Sequence, residues 1–433
     1  MTEGFADIRE RPWRDPLATA NAVRSLEGPL ALVSDGGALG RWSFVGAQPD
    51  LIHIGPWSAA PDLSQPTAAG VVGLLAYDAG AREATGPRAQ VWPDLMLARY
   101  PALLAFDHRD RVVRVIGRGA DPGAAAAAAD RAEAWLAGTR DWPRPSAPAG
   151  IFTSEAPDAA YLTAVADVVE RIAAGELFQA NIARAWSGRL NAGADPFDVM
   201  LRLADRAAAY GAFWRLGDRA IVSNSPEMFL TFDPAGGRIE TRPIKGTRAR
   251  AADPAQDAGL KRDLAASVKD RAENLMIVDL MRNDLARIAE PGSVAVDRLF
   301  EVETHPTVHH LVSTVSGRAR AGADARSVLE ATFPPGSITG APKHQAMKVI
   351  ATHEPPRGPW CGSLFHIEPG GRLTASVLIR TASFQRSGDR WSYRTLAGAG
   401  IVADSDPTAE LAETDAKIRA LREALVGASS RCT

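Results

Sequence analysis

The sequence predicts an α+β protein in which large antiparallel sheets carry helices packed outside them. Three observations lead there. A chain of 433 residues is too long for one small core, so two domains or one many-stranded unit are expected. Short apolar segments with period-two alternation crowd together between Gly, Pro and Asp, as half-buried antiparallel strands do. Helical segments also come in clusters and not in strict strand-helix alternation, which argues against a parallel sheet.

Between residues 16 and 120 the segments PLALVSD, GRWSFVG, LIHIG, GVVGLLAYD, YPALLAFD and RVVRVIG read as strands. Composition then changes abruptly to GADPGAAAAAADRAEAWLAG, a helix with Gly138 near its end. WPRPSAPAG, residues 142–150, forces extended backbone before each proline and is the expected connector. It divides the chain into residues 1–150 and 151–433. Beyond it Tyr161, Val165, Val168, Val169 and Ile172 recur at helical spacing, and Gly175 is a natural stop. Strands are expected over 177–182 and at FWRLG, AIVSN and MFLTF, a long helical region over 260–288, and a strand over 308–317. The tail alternates again through CGSLFHIE, LTASVLIRTASF, WSYRTLAG and IVAD, then closes with a helix over 406–425.

Charge narrows the function classes. Lys+Arg 49 against Asp+Glu 51 leaves no overall field for nucleic acid, so a small molecule or another protein is the expected partner. Cys361 and Cys432 lie far apart, which excludes a disulfide framework and suits a reducing cytoplasm. The start, MTEGFADIRERPWRD, has no apolar core for a secretory signal, and no run is long enough to span a bilayer. A soluble, cytoplasmic protein is expected.

Chemistry concentrates at Glu240-Thr241-Arg242-Pro243-Ile244-Lys245-Gly246-Thr247-Arg248. An ammonium between Arg242 and Arg248 has like-charge neighbours, which favour the neutral, nucleophilic amine, as does any burial. A basic surface turn is the plain alternative. Two glycine stretches do not bind nucleotide: PGSITGAPK, 335–343, lacks the Gly-Lys-Ser/Thr of a phosphate loop, and Gly398-Ala399-Gly400 precedes a strand. Pro342 suits a first helical residue, so Ser337, Thr339 and nearby amides could face an anion or simply cap that helix.

Acidic residues form two helix faces: Asp270 with Glu273, and Glu410 with Glu413 and Lys417. Brought together they would suit magnesium, which needs only one or two carboxylates beside water and a ligand oxygen. Glu413 and Lys417 are equally an ordinary exposed pair contributing a few tenths of a kcal/mol. Glu227, after a proline between apolar strands, could be desolvated enough to act as a general acid, or be a turn residue. His310 in an apolar strand is either a satisfied core histidine or a catalytic one. Arg380 ends the run Ser376-Val377-Leu378-Ile379 and, if inward, needs a carboxylate from the protein or a ligand.

Taken in order, PIKGTRAR, DRAENLMIVDLMRNDLARI, VHHLVSTVSG, FPPGSITGAPKHQAM, WCGSL, SVLIRTASF, AGAGIVADS and ELAETDAKI resemble the motifs of the chorismate-utilising enzymes. The resemblance is dense over 151–425 and thinner before it. It implies two intertwined subdomains of antiparallel sheets in a β-sandwich with helices outside, an N-terminal region over 1–150 and a chorismate-binding catalytic domain over 151–433. It implies magnesium on Glu273 and Glu413, supported by Asp270 and Glu410, neutralising one carboxylate of chorismate. The other carboxylate and the pyruvyl side would meet Arg380, Lys417, Thr339 and the backbone around Gly400.

Lysine at position 245 resembles the aminodeoxychorismate synthase component I branch, whereas anthranilate synthases carry a small residue there. This implies that Lys245 adds at ring C2 as the C4 hydroxyl leaves, with Glu227 as acid, and that ammonia then enters at C4. Gln179 stands where isochorismate and salicylate synthases carry a lysine base, so hydration is disfavoured. No Gly-x-Cys-x-Gly nucleophile loop is present, so ammonia is expected from a separate glutamine amidotransferase subunit. The sequence departs from the family pattern at Trp360-Cys361-Gly362, at Phe365-His366 and at Ala397-Gly398-Ala399-Gly400. Ala31-Leu32-Val33-Ser34 replaces the motif of tryptophan-inhibited relatives, so inhibition by tryptophan is not expected.

Overall fold

The computed structural model describes residues 4–37, 39–61, 70–305 and 308–428; Cys432 lies outside them. Its frame is two antiparallel sheets, one of 12 strands and one of 10. Both draw strands from either side of residues 142–150. In the larger sheet Leu30–Val33 pairs with Tyr210–Leu216; in the smaller, Val71–Leu75 pairs with Ser363–Ile367. The two halves are therefore intertwined, as the family resemblance implies.

Alternation along these strands decides the layers. Leu30, Trp214 and Ile221 of the larger sheet meet Val72, Leu74, Met96 and Leu364 of the smaller one in a shared apolar layer, which makes the pair a sandwich. Trp214 Nε1 donates to the Tyr100 hydroxyl at 2.7 Å, which donates to the Gly28 carbonyl at 2.8 Å, so these polar atoms enter the layer satisfied. Helices cover the outer faces. Pro122–Ala137, Pro196–Arg202 and Pro407–Val426 bury Ala128, Phe197, Ile418 and Leu421 on the larger sheet. Tyr77–Thr85, Val268–Ala286 and Ala325–Thr332 bury Ala81, Ile277, Met281 and Val328 on the smaller.

Helix starts follow from local chemistry. An Asp-Pro pair opens the helices at Pro16, Pro122, Pro196, Pro254 and Pro407. The aspartate accepts an otherwise unpaired backbone N–H, and the proline needs none of its own.

Four segments differ from the sequence reading. The helical region 260–288 is two helices, Pro254–Ala266 and Val268–Ala286, divided at Ser267, whose hydroxyl caps the second. LTASVLIRTASF is two strands in different sheets, Leu373–Val377 in the smaller and Thr381–Ser387 in the larger. Arg380 lies between them at φ +51°, a strained backbone for a non-glycine residue that redirects the chain between sheets. WSYRTLAG and the start of IVAD form one strand, Arg390–Ile401. Pro342 precedes the helix Lys343–His353 instead of opening it.

Candidate active site

The site lies where the margins of the two sheets converge. Lys245 is on Ile244–Ala249, the edge strand of the smaller sheet. Gln179 opens Gln179–Arg189, close to the edge of the larger sheet, and the neighbouring strand Arg390–Ile401 supplies Gly400. A Cβ on Gly400 would stand 3.0 Å from Gln179 Nε2 and 3.5 Å from Lys245 Nζ. Glycine there lets amine and carboxamide close on the same stretch of backbone. Gln179 Nε2 and Asn181 Oδ1 are both buried without a hydrogen-bond partner among the described residues. Unpaired polar atoms of this kind are costly unless a ligand pairs them.

Lys245 is pushed below the ordinary lysine range first by burial and then by the Lys417 ammonium, while Glu273, Glu227 and Glu413 pull it back. The like charge is therefore not the one expected from sequence. Arg242 is paired with Glu303, and Arg248 bonds Asp263 at 2.8 Å and Asp270 at 3.0 Å. Both guanidinium groups are neutralised by acids. Beyond burial, the like charge that favours the neutral amine comes from across the fold, from Lys417 of the closing helix.

Glu227 sits between strands Arg219–Ser225 and Met228–Asp233. Burial pushes its carboxyl up, opposed by the Ser337 hydroxyl and by Lys245, Lys417 and Arg380. It can hold a proton at a pH where an exposed glutamate cannot. Arg380 makes no side-chain hydrogen bond or ion pair with the described residues, and burial disfavours its charge while Glu227 favours it. A largely buried, uncommitted guanidinium suits an anion from outside the chain. Lys417 Nζ donates to the Gly398 carbonyl at 2.9 Å and pairs with Glu413 at 2.5 Å.

The four acids share one region but are differently engaged. Burial raises Glu273, helped by Asp270 and Glu413 and opposed by Lys245 and Lys269; its nearest ion-pair partner is Lys269 at 4.0 Å. For Glu413 burial works upward, but Lys417 brings the carboxyl below its ordinary range. Asp270 accepts from Arg248, and Glu410 accepts from Ser405 at 2.7 Å. Among the described residues no group of three His, Cys, Asp or Glu side chains stands together to cage an ion. Glu273 and Glu413, acidic and electrostatically coupled from two helices, match what magnesium needs when water and a ligand supply the other oxygens.

The remaining residues divide. Ser337 is buried and holds the Glu227 carboxyl down against the effect of burial, so it belongs to the cluster. Thr339 is buried in the same loop, but its hydroxyl donates to the Pro335 and Gly336 carbonyls. His310 meets the Thr247 hydroxyl at 2.9 Å through Nδ1. Burial, with His305 and Arg380, pushes it down to about 3, so its imidazole is neutral beside the Lys245 strand. Asn181 was not singled out by sequence, although its position two residues beyond Gln179 puts both side chains on one face of a strand. The buried pair Lys343 and Asp284, 2.6 Å apart, also escaped notice. Its partners are 59 residues apart, beyond any local pattern.

The family model for a chorismate binding enzyme matches residues 44–423. The chain is 39% identical over 371 residues to aminodeoxychorismate synthase component 1 of Salmonella typhimurium, covering 84% of this chain and 78% of that protein. It is 36% identical over 427 residues to anthranilate synthase component 1 of Haloferax volcanii, covering 93% and 79%. Among solved structures, anthranilate synthase component I of Streptococcus pneumoniae superposes with a TM-score of 0.76 at 26% identity, covering 88% of this chain and 92% of that one. The menaquinone-specific isochorismate synthase of Escherichia coli shares the fold, with a TM-score of 0.74 at 19% identity over 98% and 95% of the two chains.

Proposed function

From the premise that the chain belongs to the chorismate-binding enzyme family, we propose that it is an aminodeoxychorismate synthase component I. It makes 4-amino-4-deoxychorismate from chorismate and ammonia. The observation that carries this reading is the Lys245 amine, activated by burial and by Lys417, beside Gly400 and Gln179 and electrostatically coupled to Glu227.

Chorismate is a dianion. Arg380 and Lys417 receive one carboxylate and the pyruvyl side, with Ser337 and the Gly400 backbone nearby. Glu273 and Glu413 would hold magnesium, with Asp270 and Glu410 behind them, and a bound ion would supply positive charge to the other carboxylate. The neutral Lys245 amine forms a bond to C2, the ring double bonds shift, and the C4–O bond breaks. Glu227 gives its proton to the departing hydroxyl, which leaves as water. Ammonia then bonds to C4, the electrons return, and the C2–N bond breaks to release neutral Lys245. The ammonium formed at C4 can return a proton to Glu227. Gln179 has no basic nitrogen with which to activate water, so ammonia is the nucleophile. Its source is a separate glutamine amidotransferase subunit. Neutral His310, bonded to Thr247, steadies the Lys245 strand.

Incubation with chorismate, magnesium and ammonium salt should yield the 4-amino product, and Lys245→Ala should lower its rate at least about a hundredfold. Mass spectrometry of the intact protein should show the lysine adduct. Anthranilate as the sole product would overturn the assignment in favour of the anthranilate synthase reading, and an unchanged rate in Lys245→Ala would remove the covalent step.

A further inference from the structure

Asn181 is tied at its main chain and uncommitted at its carboxamide oxygen. Its N–H donates to the Thr339 carbonyl at 2.8 Å, and its carbonyl accepts from Arg357 Nη2 at 2.6 Å. Oδ1 is buried, in a residue 8% exposed, and has no hydrogen-bond partner among the described residues. The register shows where it stands. Asn181 pairs with Gly400 and Ala183 with Gly398, so Gln179, Asn181, Gly398 and Gly400 belong to one face of the sheet. A Cβ on Gly398 would stand 2.7 Å from Asn181 Oδ1 and 3.0 Å from Trp360 Cη2.

The run Ala397-Gly398-Ala399-Gly400 fits that pleat. Both alanines turn to the other face and are buried in apolar clusters, while both glycines leave bare backbone toward the site. Lys245 Nζ and Gln179 Nε2 lie over Gly400, and Asn181 Oδ1 lies over Gly398. Two residues along a strand cover about 7 Å, which is room for a six-membered ring between the amine and the acceptor. The carbon edge of Trp360 beside the oxygen has no hydrogen bond to donate, so the partner of Oδ1 enters with the reactants.

An unpaired acceptor calls for a donor. Chorismate as a dianion carries one, its C4 hydroxyl, and ammonia is the other. Both act at C4, and once the hydroxyl has left only ammonia remains. An acceptor also has the polarity a nucleophile needs: it takes an N–H, leaves the lone pair free, and binds more strongly as the nitrogen gains positive charge. We propose that Asn181 is the residue that positions ammonia, its Oδ1 taking one N–H so that the lone pair faces C4. That lone pair forms the C4–N bond, the C2–N bond to Lys245 breaks as the ring electrons return, and the proton shed by the new ammonium passes to the Glu227 carboxylate. This rests on the reading in which Lys245 attacks C2 and ammonia enters at C4.

The test is the rate of chorismate loss by the full chain with magnesium, measured against the concentration of ammonium salt at a single pH. Asn181→Val and Asn181→Thr have the same shape and both suit a strand, but only threonine keeps an acceptor oxygen. Asn181→Val should raise the ammonia KM about tenfold with the chorismate KM within about twofold, and Asn181→Thr should raise the ammonia KM only about threefold. At low ammonia, intact-protein mass spectrometry should show more lysine adduct in Asn181→Val than in the parent, because ammonia resolves it. Equal ammonia KM values in the two variants, or a chorismate KM that rises as far as the ammonia KM, overturns the proposal and leaves the assignment of the reaction standing. Failure of that assignment shows in the parent protein instead: anthranilate as its sole product overturns both.

Discussion

At the scale of single residues, reactivity here is set by neighbours distant in sequence. In the proposed reaction Lys245 attacks as the neutral amine, so rate is gained as pH rises through its lowered pKa, and Glu227 gives a proton, so rate is lost as pH rises through its raised pKa. The profile of kcat should be a bell. Lys417 favours the neutral form of the first group and the ionised form of the second. Lys417→Met should therefore carry both limbs toward higher pH, and kcat at saturating chorismate measured across pH checks it. Limbs that move apart or stay in place would show that Lys417 does not tune these groups. The lysine itself was legible in the sequence, inside a motif and among apolar residues. Burial, the larger cause, was expected there too; the like charge was misplaced, because Arg242 and Arg248 are close in the chain yet cancelled by Glu303 and Asp270, whereas Lys417 reaches the amine only through the fold.

At the scale of elements, junctions carry the stability. Arg357 is buried and bonds Glu354 twice, at 2.8 and 3.0 Å, while holding the Asn181 carbonyl at 2.6 Å and the Ile338 carbonyl at 3.2 Å. Glu354 in turn accepts from the Ala183 backbone at 2.7 Å. This links the strand of Gln179 to the loop of Ser337. Arg357→Met leaves the buried Glu354 carboxylate without its counter-ion and takes a donor from two carbonyls, and should cost about 3–5 kcal/mol, read from urea unfolding. Arg357→Met with Glu354→Leu should recover much of that loss; a single variant as stable as the parent would refute the account. Helix starts were readable because an Asp-Pro pair acts on the next few residues alone. The division of LTASVLIRTASF was not, because alternation reports which face is buried and says nothing about which sheet a strand joins. The break at Ser267 was hidden for a similar reason, since helical residues flank it on both sides.

At the scale of the whole molecule, neither half owns a sheet. Without residues 1–150, Tyr210–Leu216 loses its Leu30–Val33 neighbour and Ser363–Ile367 loses Val71–Leu75, leaving two interior strands as open edges. Residues 151–433 alone should therefore give no cooperative thermal transition and should aggregate. The same segment refolded with 1–150 should regain one transition and chorismate consumption. A cooperative transition in the isolated segment would show that the connector marks a folding boundary as well as a change in composition.

The passage of the chain through Arg380, from one sheet into the other on a left-handed backbone, has a mechanical meaning. The guanidinium proposed to receive the substrate stands on a strap between two walls, while Lys245 hangs on one wall and Gln179 on the other. Sliding the walls against each other would separate nucleophile, anchor and carboxamide at once, and an anion seated among them acts as a wedge that fixes their spacing. Tuning of the chemistry is then open to substitutions in the apolar layer around Trp214, far from any group that touches the ring.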